Sequence, residues 1–479
     1  PSAVGKFGGD TDNWVWPRHT GDFSMFRIYA DANNAPADIS EDNVPYRPAH
    51  HLPVQIGGVE PGEFTMVFGF PGTTEQYLTS DAVEFVINEL NPMRIGMRDA
   101  SLAVINAARA SSAELRIGYA DKQSSVANAW KKWIGQNKGL IELNALGKKR
   151  DLESTFAKRA AQAGNRDYAA CVPTIQALNA EYFPYQTARS LFIEYVYYGA
   201  DILNFAHAFR KAIENGAEME ASEWEATLAS LRGTVSGHFR TYDAATDEAI
   251  LAALTGPYIA HTPRPEFLPA ALQGVTDGAE FASDLFGKSI FDDEAALIAL
   301  LDKGSTKSFA KLAKDPAFQL IEQLRGAYFE AVAPEYGRLR EALDAETATY
   351  TRALRELFPD EAFFPDANST LRLTYGKVEG SAPYDGMRYE PFTTHKGILQ
   401  KYIPGDADFD LPEDLVDALR KGDWGAYANA EGDLPVCFTG SNHTTGGNSG
   451  SPALNGDGQL IGINFDRTWE STMSDILFD

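Results

Sequence analysis

The sequence predicts an α+β protein of several domains, in which a β domain is interrupted by a long helical one. Two observations carry this. Stretches with strand character stand at both ends of the chain. Between about Leu78 and Pro359 the composition shifts to Ala, Leu, Glu, Lys and Arg at helical spacing. The expected domains are a first β segment over 1–75, a helical insert over 76–368 and a second β segment over 369–479. The two β segments then close one unit from distant parts of the chain.

Taken in order, Phe23–Tyr29 alternates and is rich in strand formers, so it reads as a strand. Pro53–Ile56 and Phe64–Phe70 read the same way, with Gly57-Gly58, Pro61-Gly62 and Pro71-Gly72 as punctuation. The Pro- and Asn-bearing stretch from Asp31 to Pro53 reads as a surface connection. In the helical insert, Ala82, Phe85, Val86 and Leu90 share one face. Helix breaks are expected near Asn91-Pro92, Gly164-Asn165, Val172-Pro173, Phe183-Pro184, Gly256-Pro257 and Ala333-Pro334. Strand character returns at Leu371–Val378. A short helix is expected around Pro412–Lys421, and Pro435–Thr439 is a strand.

Bulk properties exclude some classes of function. The formal net charge of −25 argues against a general nucleic-acid binder, which needs a basic face. No stretch approaches the roughly 20 apolar residues of a membrane span. Cys171 and Cys437 give neither metal-ligand spacing nor a disulfide framework, and no cofactor or metal is implied. The chain starts at Pro1 and stops at Asp479 just after Ile476-Leu477-Phe478, so both ends read as cut from something longer.

Chemistry is concentrated in Thr444-Thr445-Gly446-Gly447-Asn448-Ser449-Gly450-Ser451-Pro452. Its glycines permit a sharp turn around Ser449. Such a turn can aim the N–H groups of Gly447 and Ser449 at one point, an oxyanion hole beside a nucleophilic hydroxyl. A hairpin follows, with Asn455-Gly456-Asp457-Gly458 at its tip. A Gly-x-Ser-Gly turn leading into two strands is the arrangement around the nucleophile of chymotrypsin-like serine peptidases. The hairpin would return Asn464 to Glu470 towards the serine, where a substrate pocket can lie.

A serine nucleophile needs a base, and the base an orienting carboxylate. Asp22, at the entrance to the first predicted strand, is the best carboxylate, although a turn residue capping a strand would look alike. None of the eight histidines precedes Asp22 in a suitable turn. In the chain order His, Asp, Ser, the base then belongs to a segment upstream of Pro1.

Several motifs carry a resemblance. They are Gly8 to Phe23 with its Asn13-Trp14-Val15-Trp16-Pro17-Arg18-His19 core, the Gly69-Phe70-Pro71-Gly72 turn, Asn128 to Trp133, and Thr445 to Trp469. In these the chain resembles, along essentially its whole length, the bacterial dipeptidyl-peptidase family that includes dipeptidyl-peptidases 7 and 11. The resemblance implies a chymotrypsin-like double β-barrel interrupted by an inserted α-helical domain, the barrel being incomplete here. It implies a serine exopeptidase that releases dipeptides from oligopeptides with a free N-terminus. Ser449 resembles the nucleophile and Asp22 the triad carboxylate, with Gly447 and Ser449 as oxyanion donors. Asp466 resembles the anchor of the terminal ammonium, completed by Asn13, Trp14 and, from the helical domain, Asn128. Arg467 resembles the residue of the dipeptidyl-peptidase 11 type, which implies Asp or Glu as the second substrate residue, because a guanidinium pairs a carboxylate in bidentate fashion. His443 stands where relatives often carry an acidic residue.

The family context further implies a periplasmic protein that forms a homodimer at full length. For want of the histidine, the isolated chain is expected to be inactive. Three other readings predict different behaviour. They are a non-catalytic binder of peptide N-termini on the same fold, a dipeptidyl-peptidase with apolar preference, and an endopeptidase that accepts blocked peptides.

Overall fold

The helical periodicity of the middle of the chain produces helices from Ser80 to Leu357. The computed structural model describes residues 3–478; Pro1 and Asp479, the ends read as cut, lie outside them. Residues Tyr77–Phe363 form one compact unit, and Pro1–Gln76 with Phe364–Asp479 form another.

In the helical unit, the 27-residue helix Arg166–Phe192 packs along the 25-residue helix Ala333–Leu357. Phe156, Ile175, Tyr182, Leu339, Tyr350 and Leu354 form the core between them and their neighbours. Pro173 and Pro184 do not break the first of these helices, nor does Pro257 break Ala244–His261. Each proline removes one hydrogen bond of the helix ladder, at a cost of about 3 kcal/mol. Burial of Ile175, Tyr182, Leu191 and Phe192 on the same helix offsets that cost. Asn91-Pro92 likewise does not break the chain's helical course: the π-turn Val86–Leu90 runs straight into the helix Asn91–Ser111, and Pro92 sits where the two meet. Gly164 does end a helix, in the left-handed conformation. A buried ion pair ties this unit together. Arg98 Nε lies 2.7 Å from Glu194, both side chains at most 4 % exposed, with the guanidinium between the rings of Trp133 and Tyr198.

The other unit is built on a four-stranded antiparallel sheet. Strands β1 (Tyr29–Ala30) and β2 (Val44–Pro45) form a separate short ribbon. Strand β3 (Phe64–Gly69) pairs with β4 (Arg372–Lys377), Val67 opposite Thr374, which joins the two ends of the chain. Strands β5 (Ser381–Tyr384) and β6 (Met387–Tyr389) make a hairpin, and β7 (Phe392–Thr394) pairs with β8 (Pro435–Phe438). Strands β9 (Ser451–Leu454) and β10 (Leu460–Asn464) form the anticipated hairpin and complete the sheet in the order β10-β9-β3-β4. The helix Glu413–Lys421 packs Val416 and Leu419 against Phe7, Ile398 and Leu411.

Two expectations need correction here. Of the expected strand Phe23–Tyr29, only Tyr29 lies in a strand, with the Ile28 carbonyl accepting the Tyr46 N–H at 2.9 Å; Phe23–Arg27 joins no sheet, and Phe23, Met25, Phe26 and Ile28 are exposed. Strand formers make a strand only where a neighbouring strand takes up their N–H and C=O groups, and among the described residues none does so for Ser24–Arg27. Asp22 accordingly sits exposed beside this stretch, not in a buried entrance to a strand. The described strands form sheets of four, two, two and two strands, so the coarse α+β class holds while a closed double barrel is not seen among them.

Candidate active site

The loop that carries Ser449 is held on both sides. Asn448 is buried, its Oδ1 accepting the Thr445 N–H and its own N–H donating to the Thr445 carbonyl. The N–H of Gly450 donates to the Asn464 carbonyl, which fastens the loop to the end of β10. The turn after β3 supplies the other clamp: Gly72 N–H donates to the Gly446 carbonyl at 2.6 Å. Gly447 has φ +102°, and a Cβ there would run into the Phe70 carbonyl and stand 2.8 Å from the Gly72 nitrogen. Only glycine meets both conditions. The Gly69-Phe70-Pro71-Gly72 motif is therefore the surface on which the serine loop is moulded.

Ser449 is exposed, and its hydroxyl donates to the Phe465 carbonyl at 3.4 Å. Among the described residues, the N–H groups of Gly447 and Ser449 have no hydrogen-bond partner within the chain. They are donors available to an incoming oxyanion. No histidine among the described residues hydrogen-bonds to Ser449 or Asp22; His443 Nε2 meets the Ser474 carbonyl, His395 Nδ1 accepts the Leu434 N–H, and His207 meets Glu322. Burial pushes the thiols of Cys437 and Cys171 up to about 11, so neither is a ready thiolate nucleophile.

The end of β10 delivers Asp466 and Arg467 next to this loop. Asp466 Oδ2 accepts the backbone N–H of Trp14 at 3.1 Å and Arg18 Nη1 at 2.7 Å. Trp14 has φ +66°, an uncommon conformation for so bulky a residue, and it turns its N–H onto this carboxylate. The fold thus brings Asn13-Trp14 and Asp466 to one place. Asn13 is half-buried, in the turn that ends at Trp14. Asn128 belongs to the helical unit, on an exposed face of the helix Ala120–Glu142.

Arg467 is nearly buried and densely bonded. Its Nη1 donates to the Thr444 carbonyl at 3.0 Å, to Ser474 Oγ at 2.8 Å and to Asp475 Oδ1 at 2.9 Å. Nη2 reaches Asp475 Oδ2 at 3.3 Å, and the guanidinium carbon lies 5.7 Å from the centre of the Trp14 ring. Asp466, Arg467, Thr444, Asn464 and Ser474 line a cleft of about 1080 Å³, large enough for a short peptide.

Sequence reasoning missed Arg18 and Asp475. Arg18 stands inside a motif that was singled out, yet a cation beside the ammonium anchor invited no role there. Asp475 carried no signal beyond its distance of eight positions from Arg467.

The peptidase S46 family model matches residues 1–479. The chain is 42 % identical over 480 residues to the Asp/Glu-specific dipeptidyl-peptidase of Flavobacterium psychrophilum, covering all of this chain and 67 % of that protein. It is 36 % identical over 490 residues to dipeptidyl-peptidase 7 of Phocaeicola vulgatus, again covering all of the chain and 67 % of the relative. The crystal structure of Porphyromonas endodontalis DPP11 in complex with the dipeptide Arg-Glu superposes with a TM-score of 0.87 at 30 % identity, over all of this chain and 69 % of that one. By the match of the family model to the whole chain and by these identities, the chain belongs to the peptidase S46 family.

Proposed function

We propose that this protein is a serine dipeptidyl-peptidase that removes N-terminal dipeptides whose second residue is Asp or Glu. The observation that carries this reading is the adjacency of Asp466 and Arg467 beside the Ser449 loop: a carboxylate for the terminal ammonium, then a cation for an acidic side chain. An ammonium held at a fixed distance from the nucleophile sets the cut after the second residue.

In this reading the Ser449 oxygen attacks the carbonyl carbon of the second residue. The carbonyl oxygen, becoming an oxyanion, receives the N–H groups of Gly447 and Ser449. The serine proton passes to a histidine and on to the leaving amine, and water then releases the dipeptide from the acyl-enzyme. We place that histidine outside these 479 residues, with Asp22 as its orienting carboxylate. A chymotrypsin-like barrel completed by further strands, a periplasmic location and a homodimer belong to the same proposal. The identity with the Flavobacterium psychrophilum enzyme supports the acidic preference.

The test is made on the native-length protein. A fluorophosphonate probe is expected to label Ser449, and dipeptide reporters with a free amine and Glu in second place are expected to be cut while their N-acylated forms are not. Labelling absent at Ser449 would leave a peptide-binding protein; cleavage of the blocked reporters would make it an endopeptidase.

A further inference from the structure

Arg467 presents two edges of its guanidinium, and the structure treats them differently. The edge formed by Nη1 and Nη2 faces Asp475, with Thr444 and Ser474 as further acceptors for Nη1. The Nε atom is buried and has no hydrogen-bond partner among the described residues. The side chains of Arg467 and Asp475 are 8 % and 7 % exposed. A buried donor without a partner is costly, so Nε, beside the Nη2 that Asp475 holds at 3.3 Å, is the guanidinium donor left over for a substrate oxyacid.

Asp475 itself is firmly placed. It ends the turn Trp469–Asp475, and its carbonyl accepts the Glu75 N–H at 2.7 Å. The preceding Ser474 carbonyl accepts from Gln76 Nε2 at 2.6 Å and meets His443 Nε2 at 2.9 Å.

We infer that Asp475 is a specificity-determining positioning residue, a built-in counter-charge that tempers the attraction of Arg467 for acidic second residues of the substrate. This rests on the reading that Arg467 faces that residue. A substrate carboxylate on the Nε/Nη2 edge would share the guanidinium with the Asp475 carboxylate, and two anions on one cation repel in a site of reduced dielectric. The pair makes the empty pocket nearly neutral. Arginine cannot shed its proton, so removing Asp475 leaves the positive charge in place. The Thr444 carbonyl and Ser474 Oγ still hold Nη1.

The experiment measures binding of the free dipeptides Arg-Glu and Arg-Leu by calorimetry to the native-length protein, the Asp475→Asn and Asp475→Ala variants, and Arg467→Ala. Circular dichroism and Tm confirm that each variant is folded. The preference ratio, Kd for Arg-Leu over Kd for Arg-Glu, is expected to rise by roughly tenfold in Asp475→Asn and in the same direction in Asp475→Ala. A purely structural role would weaken both dipeptides together and leave the ratio unmoved. A ratio unchanged or lowered in both Asp475 variants, with the preference abolished by Arg467→Ala, overturns this inference and leaves the reading of Arg467 intact. A preference that survives Arg467→Ala overturns both.

Discussion

The guanidinium of Arg18 and the carboxylate of Asp466 meet at 2.7 Å although 448 positions separate them, and both side chains are at most 15 % exposed. The pair closes the β unit at the point where the ammonium anchor is proposed. Arg18→Ala leaves Asp466 largely desolvated with only backbone donors, which should cost about 3 kcal/mol of stability. Asp466→Asn made on that background should recover part of the loss. A thermal-denaturation double-mutant cycle measures the coupling, and strict additivity would mean that the contact contributes nothing.

Gly447→Ala should be severe. The new methyl would run into the Phe70 carbonyl, and the φ of +102° penalises any side chain. The loop can relieve this only by turning the Gly447 N–H away. The expected outcome in the native-length protein is a kcat lowered by about 100-fold or more with little change in KM. An intact kcat would show that this N–H is not an oxyanion donor.

In the helical unit, the Arg98–Glu194 pair is enclosed by Trp133 and Tyr198, and Arg98 Nη1 also donates to the Val126 carbonyl at 2.8 Å. Glu194→Ala strands a buried cation and should cost about 3–5 kcal/mol. Chemical denaturation of the variant followed by far-ultraviolet circular dichroism reads this directly.

Acid should weaken both units. Burial, with Lys401 adding to it, lowers the pKa of His19 from 6.5 to about 4; burial likewise lowers that of His238 to about 4. Below pH 6.5 the unfolded chain binds protons that these folded imidazoles refuse, so stability falls as pH drops from about 6.5 towards 4. Above pH 6.5 both states are neutral there and the contribution is complete. Tm measured across this window should decline less steeply in His19→Gln than in the parent; an identical slope would remove His19 from the account.

Much of the architecture was legible because it rests on local signals. The β, α, β order followed from composition and the β9–β10 hairpin from Asn455-Gly456-Asp457-Gly458, and the short helix expected around Pro412–Lys421 is found at Glu413–Lys421. Prolines misled at positions 173, 184 and 257, where packing of long helices outweighs one lost hydrogen bond. Phe23–Arg27 misled because a strand is a property of two segments, and local pattern describes one. In the candidate site, Ser449 and Gly447 could be named from their loop, and Trp14, Asp466 and Arg467 only through the family resemblance. The ion-pair partners Arg18 and Asp475 could not. Their meaning lies in contacts across the fold, 448 positions for Arg18 and the turn Trp469–Asp475 for the other.

The most direct measurement is the ratio of kcat/KM for free-amine reporters with Glu and with Leu in second place, in the native-length protein and in Arg467→Gly. The account predicts strong preference for Glu in the parent and its collapse in the variant, with N-acylated reporters inert to both. A variant that still favours Glu would contradict the assignment of Arg467.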